Sequence, residues 1–453
     1  MNLPNYFIAD LPPEATLTPS LITEAAQALK QNRERYLAQR PTAMLVGTLC
    51  GVGQSWLSRG NTFRTMALEQ SGSIGFSRET LAAGLDSFFK QLTPENFNAL
   101  LEQDLGHSHR LDKLAISKLE EKTNRAAVAS APELIAQIGA GTLPVSVLQT
   151  MVLSALLRSA QFVKCATGSA LVPRLFAHSL YEADPKLGAC IEVSEWHGGS
   201  AELEQALFAE SDCVVASGTD ETLAAIRQRL PVRTRLVAYG HKVSFAFVAG
   251  RALTRFGVGK VVSLAAMDVV AWNQLGCLSP HVIYLENAGE VSPEEFADKL
   301  AHELATREAV DPRGPLPVNV SATIASRRAF YEMRAAHSPG TRVWSSPQST
   351  AWTVVYEDDP RFQASCLNRF VYVKAVKDLT DALQGADAVR GSVSTIGLAA
   401  PEDEAPELAL ALARWGARRV CPLGQMQAPS LLWRHDGRPS LADLVTWTDF
   451  ELP

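Results

Sequence analysis

Between Leu134 and Tyr239, short apolar runs alternate with longer stretches whose hydrophobic positions recur every three or four residues. Leu134-Ile-Ala-Gln-Ile-Gly139 predicts a strand, Gly141-Thr-Leu-Pro144 a turn, and residues 145–159 a helix. Gln161-Phe-Val-Lys164 predicts the next strand, and Ala166-Thr-Gly-Ser169 opens a helix through Leu180. Ile191-Glu-Val193 is a third strand, ending at Glu195-Trp-His-Gly-Gly199 before a helix over 202–208. Cys213-Val-Val-Ala216 runs through Ser217-Gly-Thr-Asp-Glu221 into a helix over 221–229, and Arg235-Leu-Val-Ala-Tyr239 closes the series. Strands alternating with helices imply βαβ units and a mostly parallel sheet with helices on both faces.

Outside this region the pattern is less regular. Residues 1–40 predict an extended lead and a helix starting at Thr18-Pro-Ser20. Residues 43–56 are apolar and glycine-rich, but Gly51-Val-Gly53 alone is too short for a nucleotide fingerprint. Residues 78–125 have helical spacing; His107 and His109 within them would diverge on a helix, which favours surface polar residues over metal ligands. Ser292-Pro-Glu-Glu predicts a capped helix to about Arg307, and a further helix follows the proline-rich break at 311–317 and runs to about Arg334. Trp344 to Tyr356 and Phe370 to Lys374 have β character, Asp378 to Leu383 is helical, and Val393 to Ile396 is a short strand. The stretch 419–437 is dense in Pro, Gly, Trp and His, and no periodicity places it.

At 453 residues the chain is expected to form two or three domains. Hydrophobic residues make up 47% and charged residues 20%, the balance of a soluble globular enzyme. A net charge of −6 disfavours a nucleic-acid surface. The 7 cysteines are scattered without CxxC spacing, which points to a reducing compartment rather than a disulfide framework or zinc knuckle. Neither a secretory leader nor a long apolar run is visible, so a cytoplasmic protein with no membrane span is expected.

Three short segments carry candidate chemistry. The loop Ala271-Trp-Asn-Gln-Leu-Gly-Cys-Leu-Ser-Pro-His281 lies between the apolar runs Val261–Val270 and Val282–Leu285. Gly276 before Cys277 would leave room for a substrate carbonyl, with the Cys277 amide facing a developing oxyanion. Taken alone, that loop fits a buried core thiol better, since cysteine is often buried. Thr167-Gly-Ser169 and Ser217-Gly218-Thr219 both put small hydroxyl residues and a glycine at a helix start. There, free N–H groups and the helix dipole attract phosphate, although each turn also satisfies an ordinary N-cap.

The end of the chain, Pro422-Leu-Gly-Gln-Met-Gln-Ala-Pro-Ser-Leu-Leu-Trp-Arg-His-Asp-Gly437 followed by Leu444 and Trp447, resembles the acyl-CoA reductases of the LuxC type. Glu195-Trp-His-Gly-Gly199 and the Gly276-Cys277 loop share that resemblance, which spans the chain from about residue 40. This fatty-acyl reductase family of bacterial bioluminescence belongs to the aldehyde dehydrogenase superfamily. The resemblance implies an α/β, aldehyde dehydrogenase-like fold: a Rossmann-like cofactor domain over 1–258 and an α/β catalytic domain over 259–420. Residues 421–453 would return to the cofactor domain or a subunit interface.

It also implies roles, position by position. Cys277 fits the nucleophile, and Thr142 stands where the superfamily has an oxyanion-stabilising asparagine. Lys164 fits the lysine at the adenosine ribose, with Thr167 in the turn after it. Ser217, Gly218 and Thr219 resemble the turn at the cofactor pyrophosphate, and Asn368-Arg-Phe370 the Glu-X-Phe motif beside the nicotinamide ribose. Hydrolytic relatives carry a glutamate in Glu-Leu-Gly-Gly-Lys; here Ala238-Tyr-Gly-His-Lys242 takes that place, leaving His241 as an acid or base and no carboxylate to activate water. The implied activity is reduction of an acyl thioester to an aldehyde through an acyl-cysteine. NADPH is favoured over NADH because Lys164-Cys-Ala-Thr167 lacks a carboxylate to repel a 2′-phosphate. An acyl-CoA or acyl-carrier donor, an acyl-protein synthetase partner and a homo-oligomer are implied. The alternatives are a CoA-acylating aldehyde dehydrogenase working oxidatively, a cofactor-independent cysteine acyltransferase, or a non-catalytic assembly subunit.

Overall fold

The computed structural model describes residues 3–451 except Pro13, Thr142 and 288–290. Thr142, the expected oxyanion position, thus lies outside the described residues. The chain forms two compact units, one of residues 1–70, 85–240 and 430–453, the other of 71–84 and 241–429. Their boundaries at 240/241 and 429/430 differ from those read at 258/259 and 420/421. Residues 243–248, read with the cofactor domain, form a strand inside the sheet of the second unit.

The first unit holds strands β1 (Arg125–Ser130), β2 (Leu134–Ile138), β3 (Ala160–Cys165), β4 (Ile191–Glu195), β5 (Cys213–Ser217) and β6 (Arg235–Tyr239). Five of them form a parallel sheet in the order β4-β3-β2-β5-β6. Helix Pro19–Tyr36, capped by the Thr18 hydroxyl with Pro19 in its first turn, lays Ile22, Ala26 and Leu29 on one face against Leu134, Phe162 and Val214. Helices Pro144–Leu156 and Leu171–Ala183 bury Met151, Leu156, Leu175 and Phe176 in the same unit. Each such apolar side chain contributes about 1.5–3 kcal/mol of burial. The strand order reverses between β2 and β5, and doubly wound sheets bind ligands at the carboxyl ends flanking such a point. Glu195 and Ser217 close their strands on that edge, and Lys164 lies one residue before the end of β3.

The second unit contains β7 (Val243–Val248), β8 (Pro280–Glu286), β9 (Thr341–Ser345), β10 (Thr353–Glu357), β11 (Phe370–Val376), β12 (Val393–Ala399) and β13 (Arg419–Pro422). They pair in the order β13-β12-β7-β8-β11-β10-β9, parallel throughout except for the edge strand β9. Alternation sends Ala246 and Val248 to one face, under helices Val258–Val270 and Pro293–Val310. Phe245 and Phe247 go to the other, under Val318–His337 and Ala405–Trp415. The last strand, β14 (Thr446–Glu451), pairs antiparallel with β1 in the first unit, and all six of its residues are exposed.

Candidate active site

The chain enters the cysteine loop in an unusual conformation. After helix Val258–Val270, Trp272, Asn273 and Gln274 take φ values of 52°, 53° and 63°. Three successive non-glycine residues in the left-handed region cost roughly 1–2 kcal/mol each. A second left-handed triplet, Leu367, Asn368 and Arg369 (62°, 58°, 65°), precedes β11. Buried hydrogen bonds join the two. Arg369 Nε donates to Asn273 Oδ1 at 3.2 Å, and Gln274 Nε2 to the Phe370 and Pro280 carbonyls at 2.9 and 2.8 Å. Arg369 Nη1 also reaches Glu308 at 2.8 Å and the Asp311 carbonyl at 2.7 Å. Trp272 packs edge-on to Phe76 and fills the space over Gly84, where a Cβ would lie 1.9 Å from its ring. That contact is one of those tying residues 71–84 to this unit, with the Ser77 and Thr80 hydroxyls donating to Asp311 at 3.2 and 2.8 Å.

On this scaffold residues 276–279 form a turn closed by Ser279 N–H to Gly276 O at 2.9 Å. Gly276, Leu278, Ser279 and Pro280 are buried, while Cys277 is exposed. The Cys277 carbonyl accepts from Ser244 Oγ at 2.7 Å. The other six cysteines are buried or half-buried. Burial pushes the thiols of Cys165, Cys190 and Cys213 up to about 12 and that of Cys421 to about 11. Cys277 is therefore no core thiol.

The expectation for Gly276 is corrected. The space beside it is filled by Gln427, whose amide nitrogen lies 2.2 Å from where a Cβ would stand. Gln427 Nε2 also donates to Ser279 Oγ at 2.5 Å. The glycine makes room for protein, not for a substrate carbonyl.

Of the four histidines in this unit, His241 and His281 lie nearest the cysteine loop in sequence, and His302 and His337 sit on helices Pro293–Val310 and Val318–His337. His241 is exposed. His281, four residues after Cys277 and absent from the sequence-derived set, is buried at the start of β8. Its Nδ1 accepts from the Ser365 N–H at 3.0 Å, which puts the ring proton on Nε2. Burial pushes its pKa down to about 4, and His241 adds to the effect. Asn368 is buried within the second triplet, and Phe370, also buried, begins β11.

In the first unit the expected cofactor residues gather along one sheet edge. Lys164 is buried under Trp196, its Nζ 5.9 Å from the ring centroid, and forms no ion pair among the described residues. Burial lowers its pKa, and Glu204 opposes that. The turn holding Thr167 is satisfied from within the protein: Glu195 accepts from Gly168 N–H at 2.8 Å and Ala170 N–H at 3.2 Å. The donors expected for phosphate are thus already held by a carboxylate. Glu195 also supplies, from β4, the carboxylate missing after Lys164 in sequence. In the other turn Gly218 N–H donates to the Tyr239 carbonyl at 3.2 Å, and Thr219 Oγ1 caps Thr222 N–H at 3.3 Å. Ser217 is half-buried beside them. An unpaired buried ammonium next to a carboxylate fits a ribose diol, which accepts from one and donates to the other. Dinucleotide fits this edge through its ribose better than through phosphate at residues 167–169.

A doubly wound sheet with this strand order, and a second sheet bearing an exposed cysteine on a braced turn, define the aldehyde dehydrogenase fold. Solved structures share it: proline utilization A (PutA) of Bradyrhizobium japonicum in a mutant form has a TM-score of 0.71 at 15% identity, covering 96% of this chain and 45% of that one. An NAD-dependent benzaldehyde dehydrogenase from Corynebacterium glutamicum has 0.66 at 11%, covering 96% and 91%. An acetylating aldehyde dehydrogenase from Geobacillus thermoglucosidasius has 0.65 at 13%, covering 96% and 97%. The chain spans a little under half the length of the PutA structures it matches. No curated protein matches its sequence. The chain belongs to the LuxC acyl-CoA reductase family, whose model matches residues 37–447.

Proposed function

We propose that this protein reduces an acyl thioester, from acyl-CoA or an acyl carrier, to an aldehyde through an acyl group held on Cys277. The observation carrying this reading is that Cys277 alone of the seven cysteines is exposed, on a turn braced on both sides of it. Its thiolate attacks the acyl carbonyl, a carbon–sulfur bond forms, and the donor thiolate leaves and takes up a proton. The Cys277 N–H faces the oxygen on which charge develops. Lys164, Glu195 and the Ser217–Thr219 turn would hold a nicotinamide cofactor, which would supply the hydride, and the superfamily resemblance assigns Asn368 and Phe370 to its nicotinamide ribose. The resulting hemithioacetal breaks its carbon–sulfur bond, releasing aldehyde and restoring the thiol; His241 is the group assigned to carry the proton. Ala238 in place of the hydrolytic glutamate leaves the thioester without a base to activate water.

NADPH is the assigned reductant, as the family resemblance implies. Glu195 favours NADH, because its charge repels a 2′-phosphate, so the preference turns on this one residue. The homo-oligomer is assigned to the outer strand β14, which exposes Trp447 and Phe450. Intact mass after incubation with an acyl-CoA tests the reading. The native protein should gain one acyl group that NADPH discharges as aldehyde, and Cys277→Ser should gain none. An adduct that persists with both NADPH and NADH would favour simple acyl transfer, and no adduct would remove Cys277 from the chemistry.

A further inference from the structure

The segment Pro422-Leu-Gly-Gln-Met-Gln427 leaves β13 and is fixed along its length. Gly424, at φ 86°, lies so close to Leu264 that a Cβ would stand 2.6 Å from its Cδ2. Asp268, buried on helix Val258–Val270, accepts from Gly424 N–H at 2.6 Å and Met426 N–H at 2.9 Å. Arg419 holds the Met426 and Gln425 carbonyls at 2.7 and 2.9 Å. Met426 is fully buried over Gly397 in β12. Every restraint on this strap delivers one side chain, Gln427, onto the cysteine turn.

Gln427 touches that turn at both ends, covering Gly276 and donating to Ser279 Oγ. Ser244 holds the middle through the Cys277 carbonyl, and Ser244 Oγ is itself fixed by Thr395 N–H at 3.1 Å. The backbone around Cys277 is therefore held at both ends and in the middle, while its side chain remains exposed. A primary amide suits the place: it donates to Ser279, keeps a second N–H, and puts no charge beside the thiol.

We infer that Gln427 is a positioning residue for acyl transfer, acting through the Gly276–Ser279 turn to hold the Cys277 N–H and Sγ toward the same carbonyl. The inference rests on the proposed role of Cys277 and extends it to a residue that neither the spacing of the sequence nor the superfamily motifs assign. Misplacing a reacting group by about 1 Å can cost about 100-fold in rate.

Three full-length proteins test this: native, Gln427→Ala and Gln427→Glu. For each, single-turnover acylation of Cys277 by an acyl-CoA is followed by mass, and alkylation by iodoacetamide is followed against pH. Gln427→Ala should acylate about 10- to 100-fold more slowly, a loss larger than the modest fall in melting temperature expected from the missing Ser279 hydrogen bond can explain. Gln427→Glu still fills the space and accepts from Ser279, but places a negative charge near the thiol, so the pH midpoint of alkylation should rise by about one unit. Acylation of Gln427→Ala within about two-fold of native, or a slowing matched by a proportionate fall in stability, would overturn the inference. If the native protein fails to acylate while Gln427→Glu still shifts the alkylation midpoint, the function reading fails and the placement of Gln427 beside the thiol survives.

Discussion

At the scale of single residues, the site depends on contacts that small changes would break. Gly84→Ala would drive a methyl group into the Trp272 ring, 1.9 Å away, and should destabilise the protein by at least about 1–3 kcal/mol in chemical denaturation. His281 sets a pH limit. Its folded pKa, about 4, lies below the ordinary value of 6.5, so the native state excludes a proton that the unfolded chain binds. The associated stability is complete above about pH 6.5 and is lost as pH falls through 4. From pH 7.5 to 5 the native protein should lose about 2 kcal/mol more than His281→Gln; parallel curves would remove His281 as the cause. Residue chemistry was partly legible beforehand. The loop around Cys277, taken alone, fitted a buried thiol better, and it was the family resemblance that singled the residue out; its exposure is set by the fold. His281 was read as the last residue of the polar loop, which hides that β8 takes it in from Pro280 onward, and the role of Gly276 was misread because Gln427 lies 151 positions along the sequence.

At the scale of elements, legibility follows the range of the interactions that define each one. The strands from Leu134 to Tyr239 were readable because each is a short buried run closed by turn residues, and their observed limits differ from the predicted ones by only a residue or two. Residues 419–437 were unreadable because tertiary partners order them. His435 stacks on Tyr239 at 4.0 Å, Arg438 reaches the Ala238 carbonyl at 2.5 Å, and Asp268 holds the strap. Asp268→Asn tests this dependence. An amide presents only one acceptor oxygen to two N–H donors, so the strap should lose a hydrogen bond worth about 1–3 kcal/mol. The melting temperature should fall, and acylation of Cys277 should fall with it; an unchanged melting temperature would show that the strap holds itself. Lys164→Ala probes the other sheet. If the proposed cofactor site is right, NADPH or NADH should raise the melting temperature of the native protein and not that of Lys164→Ala, and the free variant should melt within a few degrees of native.

At the scale of the whole molecule, the thiols divide sharply. In the native state a disulfide reagent should find one fast thiol, lost in Cys277→Ser, and all 7 after denaturation. More than one fast thiol would mean that the half-buried Cys50 or Cys366 opens readily. Among the described residues no helix is long and apolar enough to cross a membrane.

The pairing of β1 with β14 has a consequence for synthesis. The chain passes between its two units at 70/71, 84/85, 240/241 and 429/430, and the first unit includes residues 430–453. Ser130 emerges from the ribosome 316 residues before Thr446, the residue it will pair with. At about 5–20 residues per second, the edge of β1 waits roughly 15–60 s for its partner. A nascent chain must keep that unpaired strand from sticking to its neighbours, and the β1 edge of its first unit stays open until residues 446–451 are made.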